Sequence, residues 1–115
     1  MPTTDPSDDD LALLRKFRQL AGRILAEPGF SVDDAAGLLG MSPRSLHRRF
    51  KELTGLTPAA YLREHRLYWA KELLETGAVR SVEAAAFAVG IEDAAYFARL
   101  FYRRYRLRAS ALLRP

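Results

Sequence analysis

The sequence contains no cysteine. Disulfides and cysteine-ligated zinc or iron–sulfur centres are therefore excluded, and a reducing compartment suits the chain. Its only histidines, His47 and His65, do not stand at metal-ligand spacing. No apolar run approaches the ~18 residues that a membrane span needs, so no membrane partner is expected. The amino terminus, MPTTDPSDDD, lacks the basic start and apolar stretch of a secretion signal, and a cytoplasmic location is the expectation. A glycine-rich phosphate loop is missing. Ser42, Ser45 and Ser81 stand at helix starts, where a hydroxyl serves as a cap rather than a nucleophile. Neither an enzyme nor a bound cofactor is expected. No segment alternates apolar and polar residues as a strand does, which leaves an all-α chain.

What is present is charge of one sign. Net charge is +4 over 115 residues, of which 49% are hydrophobic. Residues 1–10 hold four Asp and no base, so the body of the chain is more basic than the total suggests. Of the 18 basic residues only Lys16, Lys51 and Lys71 are Lys; the rest are Arg. Arg presents a planar fork of donors that fits phosphate and guanine edges. A basic body behind an acidic tail points to a polyanionic partner.

Residues 1–9 read as an acidic disordered tail or linker stub. Residues 10–115 read as one folded domain of about seven helices. A first helix-turn-helix unit is expected over 10–57, a linker helix over 58–76 and a second unit over 77–115. Helix one runs from about Asp10 to Glu27, with Leu14, Phe17, Leu20, Ala21, Ile24 and Leu25 on one stripe, and stops at Pro28-Gly29. Ser31 caps helix two, which ends at Gly40. Ser42-Pro43 opens helix three, which stops at Gly55. Thr57-Pro58 opens helix four, which ends at Gly77. Ser81 caps helix five, Asp93 caps helix six, and a short last helix covers Ala109 to Leu113.

The most informative feature is an internal duplication. SVDDAAGLLG at Ser31–Gly40 returns as SVEAAAFAVG at Ser81–Gly90. One residue differs in the turn, after which Leu46, Arg48 and Phe50 match Phe97, Arg99 and Phe101. Each copy is a short helix, a glycine-containing turn and a second helix. A solenoid would not place a longer, unlike helix between its repeats.

In helix three, Leu46, Phe50 and Leu53 fall on one side, and Arg44, His47, Arg48 and Lys51 on the other. The apolar side packs on helix two through Ala35, Ala36 and Leu39. The basic side suits a major groove, with Arg forks reaching base edges. In helix six Phe97, Phe101 and Tyr105 face inward, while Ala95, Ala98, Arg99 and Tyr102 face out. Ala95 and Ala98 stand where Arg44 and His47 do, so the second unit should add phosphate affinity more than sequence choice. Arg103, Arg104, Arg106 and Arg108 follow it and can serve the backbone. Helix four, at ~1.5 Å per residue, gives roughly 27 Å, compatible with units reaching successive major grooves. Its Leu62, Leu67, Ala70, Leu73 and Leu74 are expected to pack on both units, with Tyr68 and Trp69 covering core edges and His65 on the surface.

These residues resemble the AraC/XylS family of transcription regulators. The resemblance runs from about Leu11 to Leu113. It is carried by FSVDDAAGLLGMSPRSLHRRFKELTGLTPAAYL, by Arg66-Leu67 and the Ala70–Leu74 pattern, and by SVEAAAFAVG and YFARLFYRRY. It implies an all-α fold of two helix-turn-helix subdomains on a long linker helix, like the output domain of longer sensor or two-component regulators. It implies double-stranded DNA as partner, with RNA polymerase a further candidate, and a sensor or receiver domain in a longer parent chain. Base readers would be Arg44, His47, Arg48 and Arg99. Backbone or secondary contacts fall to Ser42, Ser45, Lys51, Ala95, Ala98, Tyr102, Arg103 and Arg104. The chain departs from the family at Ala94, Ala95 and Ala98, which often carry polar readers, and at Ile91, usually aromatic. Arg106 and Ala109 replace a Gly and a Pro that the first unit keeps as Gly55 and Pro58. Helix six is therefore expected to end differently, or the second unit to be less stable. A helical protein–protein adaptor of the same fold is the alternative reading.

Overall fold

A computed structural model of the chain describes residues 7–27 and 29–114. They form six α-helices and a final 3₁₀ segment: α1 (Asp8–Ala26), α2 (Val32–Leu38), α3 (Pro43–Thr54), α4 (Pro58–Thr76), α5 (Val82–Ala88), α6 (Ala94–Tyr105) and Ala109–Leu112. No strand occurs among the described residues, and none of the helices is long and apolar enough to cross a membrane.

The helix starts follow local hydrogen-bond chemistry. The Ser7 hydroxyl accepts from the Asp10 N–H at 3.1 Å, and the Asp10 carboxylate accepts from the Ser7 N–H at 3.2 Å. That reciprocal cap, with three Asp in the first turn, starts α1 at Asp8 rather than Asp10. Ser7, Asp8 and Asp9, assigned above to an acidic tail, are thus the cap and first turn of a helix. The rest of that tail, residues 1–6, and Pro28 lie outside the described residues. Ser31 and Asp34 make the same reciprocal cap on α2, at 3.1 and 2.9 Å. Ser42, Thr57, Ser81 and Asp93 each accept from the N–H three residues on, at 3.0–3.1 Å.

The chain divides into two compact units, Met1–Leu62 and Arg63–Pro115. The sequence sets the linker apart over 58–76, but the division falls inside α4. The reason is packing. Leu62 joins the first core, with Leu13, Phe17, Ala21 and Ile24 of α1, Ala35 and Ala36 of α2, and Leu46 and Phe50 of α3. Leu67, Ala70 and Leu74 join the second, with Ala85, Ala86 and Val89, then Phe97, Leu100, Phe101 and Ala109. Tyr68 and Trp69 do not cover a core edge; they are 55% and 38% exposed.

Each helix-turn-helix closes the same way. The Met41 N–H returns to the Ala36 carbonyl at 2.9 Å, and the Ile91 N–H to the Ala86 carbonyl at 2.9 Å. Gly40 and Gly90 supply the positive φ, 71° and 83°, that this turn requires. The alanine pairs, 1% exposed or less, let the two helices of each unit approach closely. In the first unit Phe17, Phe50 and Tyr61 stack around one point, with ring centroids 4.7–5.9 Å apart.

Candidate nucleic-acid interface

In α3 the buried Leu46 and Phe50 fix the helix by one face, so the other must project. Arg44, His47, Arg48 and Lys51 are all exposed on it. Ser42 and Ser45 stand at its start, with their hydroxyls bonded at 3.0 Å while Ser42 also caps the helix. A groove of about 690 Å³ runs beside this face. Arg44, Ser45, His47 and Arg48 line it together with Val32 and Asp33 of α2 and Pro58 and Ala59 of α4.

In α6 Phe97 and Phe101 are buried, and the partly buried Tyr105 packs on the same core. Leu100 is buried too, at 9% exposure; periodicity had not marked it as a core position. Ala95, Arg99 and Tyr102 are exposed and Ala98 is half-buried. The groove on this side, of about 710 Å³, brings together Ala98, Arg99, Tyr102 and Arg103 with Arg106, Arg108 and Ser110. Arg99 also sits 5.9 Å from the Tyr96 ring.

Arg104 does not join that groove. Its Nε donates to Glu64 Oε2 of α4 at 2.6 Å, and it lies 5.0 Å from the Tyr105 ring. The Glu64 hydrogen bond, with its negative charge, pushes the guanidinium pKa up. Three further Arg residues take internal partners that periodicity did not signal. Arg49 on α3 donates to the Asp10 carboxylate at 3.0 Å. The Ser7 backbone N–H, then the Arg49 and Ser7 side chains, hold the Asp10 carboxyl below the usual carboxylate range. Arg66 is half-buried, which lowers its pKa, and its guanidinium reaches the Val89 carbonyl at 3.5 Å, at the end of α5. Arg114 donates to the Glu75 carbonyl at 2.7 Å, at the end of α4. The nearest sequence signal was the Arg66-Leu67 dipeptide, which marks a family pattern but not a role.

Helix α6 ends as α3 does, contrary to the expectation raised by the missing glycine. Gly55 has φ 81° and Arg106 has φ 59°, both left-handed. Their N–H groups return to the Lys51 and Tyr102 carbonyls, each at 2.8 Å. Arg106 is the one non-glycine residue with positive φ among those described. That conformation costs an L-residue about 1–2 kcal/mol. The partly buried Leu107 and buried Ala109 pack on the second core immediately after it and hold the turn closed.

Among the described residues, no group of His, Asp and Glu is arranged to hold a metal ion. A family profile described as a helix-turn-helix domain matches residues 35–114. The HTH-type transcriptional activator RhaS of Shigella boydii is 40% identical over 73 residues, covering 64% of this chain and 26% of RhaS. The chain thus spans about a quarter of the length of the curated relatives it matches. Among solved structures, a regulator of Chromobacterium violaceum described by its AraC-type DNA-binding domain has a TM-score of 0.80 and 26% identity, over 92% of this chain and 93% of that one. The DNA-binding domain of AdpA, a global transcriptional factor solved with a target DNA, has a TM-score of 0.72 and 30% identity, over 94% of this chain and 89% of its own. The matched span runs from within α2 through the final 3₁₀ segment and covers more than half of the chain, which therefore belongs to the AraC-type helix-turn-helix family.

Proposed function

We propose that this chain is the DNA-binding part of a transcription regulator, inserting α3 and α6 into successive major grooves of one duplex. The observation that carries the reading is the α3 face: Arg44, His47, Arg48 and Lys51 exposed opposite a buried Leu46 and Phe50. Arg44, His47 and Arg48 are the base readers of the first half, and Arg99 of the second. Ser42, Ser45, Lys51, Tyr102 and Arg103 meet the sugar–phosphate backbone, with Ala95 and Ala98 as secondary contacts. Arg104 belongs with them only if it leaves Glu64. The AdpA neighbour, solved on its target DNA, supports this class of partner.

The parent chain is longer, carrying a sensor or receiver domain; the relatives' greater length supports this. Those relatives are named as activators, which supports RNA polymerase as a further partner and the cytoplasm as the place of action. Duplex binding against salt tests the core of the reading. A DNA binder loses affinity with a log–log slope of about −0.9 for each phosphate contacted. A flat slope, or no binding at low salt, favours the adaptor reading instead. The α6 face, with Ala95 and Ala98 at reader positions, is the feature on that side.

A further inference from the structure

The two grooves are built from equivalent parts of the repeat, yet their charge differs. By the offset of the repeat, Arg48, Glu52, Gly55 and Thr57 of the first unit correspond to Arg99, Arg103, Arg106 and Arg108 of the second. One guanidinium, one carboxylate and two uncharged residues stand opposite four guanidiniums, and of the first set only Arg48 lines its groove, beside Arg44. All four line the second groove, around the small side chains of Ala98, Ala109 and Ser110. The first groove includes the Asp33 carboxylate; no acidic residue lines the second.

We propose that Arg103, Arg106 and Arg108 make the second groove a clamp for adjacent backbone phosphates of duplex DNA, indifferent to base sequence, beside the base reader Arg99. The proposal rests on the DNA-binding reading and deepens it. Like charges gathered without a counter-charge oppose folding unless an anion arrives to neutralise them. Among the described residues, none of the four is within ion-pair distance of a carboxylate, whereas Arg49 and Arg104 are. Guanidinium forks match phosphate oxygens two at a time. Arg106 carries the argument furthest. Its side chain is exposed and fills no core, and its backbone takes a conformation that glycine adopts freely. The residue is thus unfavourable for the fold at the one position where it adds a cation to the groove. At the positions equivalent to Arg44 and His47, Ala95 and Ala98 offer no donor for base choice, which leaves Arg99 of that set.

The test is Arg106→Gly in the 115-residue chain, measured on a selected duplex and on a random duplex. Its melting temperature should rise, because the left-handed strain is relieved. Affinity should fall on both duplexes alike, and the log–log salt slope should become shallower by about 0.9. Between 50 and 200 mM salt that slope change is roughly 3.5-fold in binding constant. Arg103→Gln with Arg108→Gln, both exposed positions, should flatten the slope by about twice as much. An unchanged slope in both variants overturns the clamp. So does a loss confined to the selected duplex, which would make the groove a base reader. Linear tripolyphosphate supplies the third arm. If it shifts the Arg99, Arg103, Arg106 and Arg108 side-chain resonances while duplex leaves them unmoved, the groove takes a free polyanion and the clamp is wrong. The DNA-binding reading fails separately, if the unmodified chain binds no duplex at low salt.

Discussion

Ser31 and Asp34 close a reciprocal cap at the start of α2, while at the start of α5 Ser81 caps alone, with Ala84 where Asp34 stands. Gly55 ends α3 without strain, while Arg106 ends α6 with it. The buried positions, by contrast, keep their character: Ala35 and Ala36 against Ala85 and Ala86, Phe50 against Phe101. The difference separates two kinds of constraint. Helices that touch through alanine cannot accept a larger residue without moving apart. Cap and surface positions contribute only about a kilocalorie per mole each, so they drift or are recruited for binding.

The largest test of that comparison lies in the cores. Phe50→Ala should destabilise the first unit by about 3–5 kcal/mol, and Phe101→Ala the second by a similar amount. Hydrogen exchange read residue by residue should show each loss concentrated in its own unit. Equal loss of protection in both units would mean that they fold as one.

Next comes Arg48→Ala, which should cost about 1–3 kcal/mol on a selected site and relax base choice in one half. Competition with random duplex checks it, since binding there should barely change. Equal losses on both duplexes would remove the reading role from α3. A smaller effect is expected of Ala84→Asp, which gives α5 the carboxylate that α2 has. It should stabilise the second unit by about 0.3–1 kcal/mol, seen as a higher urea midpoint. No gain would show that the cap difference between the units is incidental.

The smallest effect is on acidification. The Ser31 backbone N–H and then its hydroxyl hold the Asp34 carboxyl below the usual range, as those of Ser7, with Arg49, do for Asp10. A lowered folded-state pKa means stability that is present above the unfolded value and lost as pH falls through the folded one. Below about pH 4 the amides at the starts of α1 and α2 should therefore lose protection before those at the start of α5, which has no such carboxylate. Loss in the reverse order would contradict the capping account.

Much of this was legible along the chain because it is local. Ser42-Pro43, Thr57-Pro58, Gly40 and Gly90 mark helix limits through bonds spanning three to five residues. The outward face of α3 follows from periodicity alone. Less legible was the start of α1, where an acidic, proline-containing stretch looks like a tail until Ser7 and Asp10 are seen to bond each other. At the end of α6 the expected change of ending does not occur, because packing after Arg106 overrides the left-handed preference for glycine and leaves the strain in place. Tyr68 and Trp69 were assigned to core edges, but α4 turns them outward.

By itself the sequence determined the helices, their duplication and a surplus of arginine, because each depends on neighbours within a turn or two. Only the tertiary structure decided how those arginines divide. Arg49 meets Asp10 across 39 residues of chain and Arg104 meets Glu64 across 40, whereas Arg99, Arg103, Arg106 and Arg108 share one groove. Whether a charge is paired depends on what folding brings within a few ångströms, and no helical periodicity reaches that far.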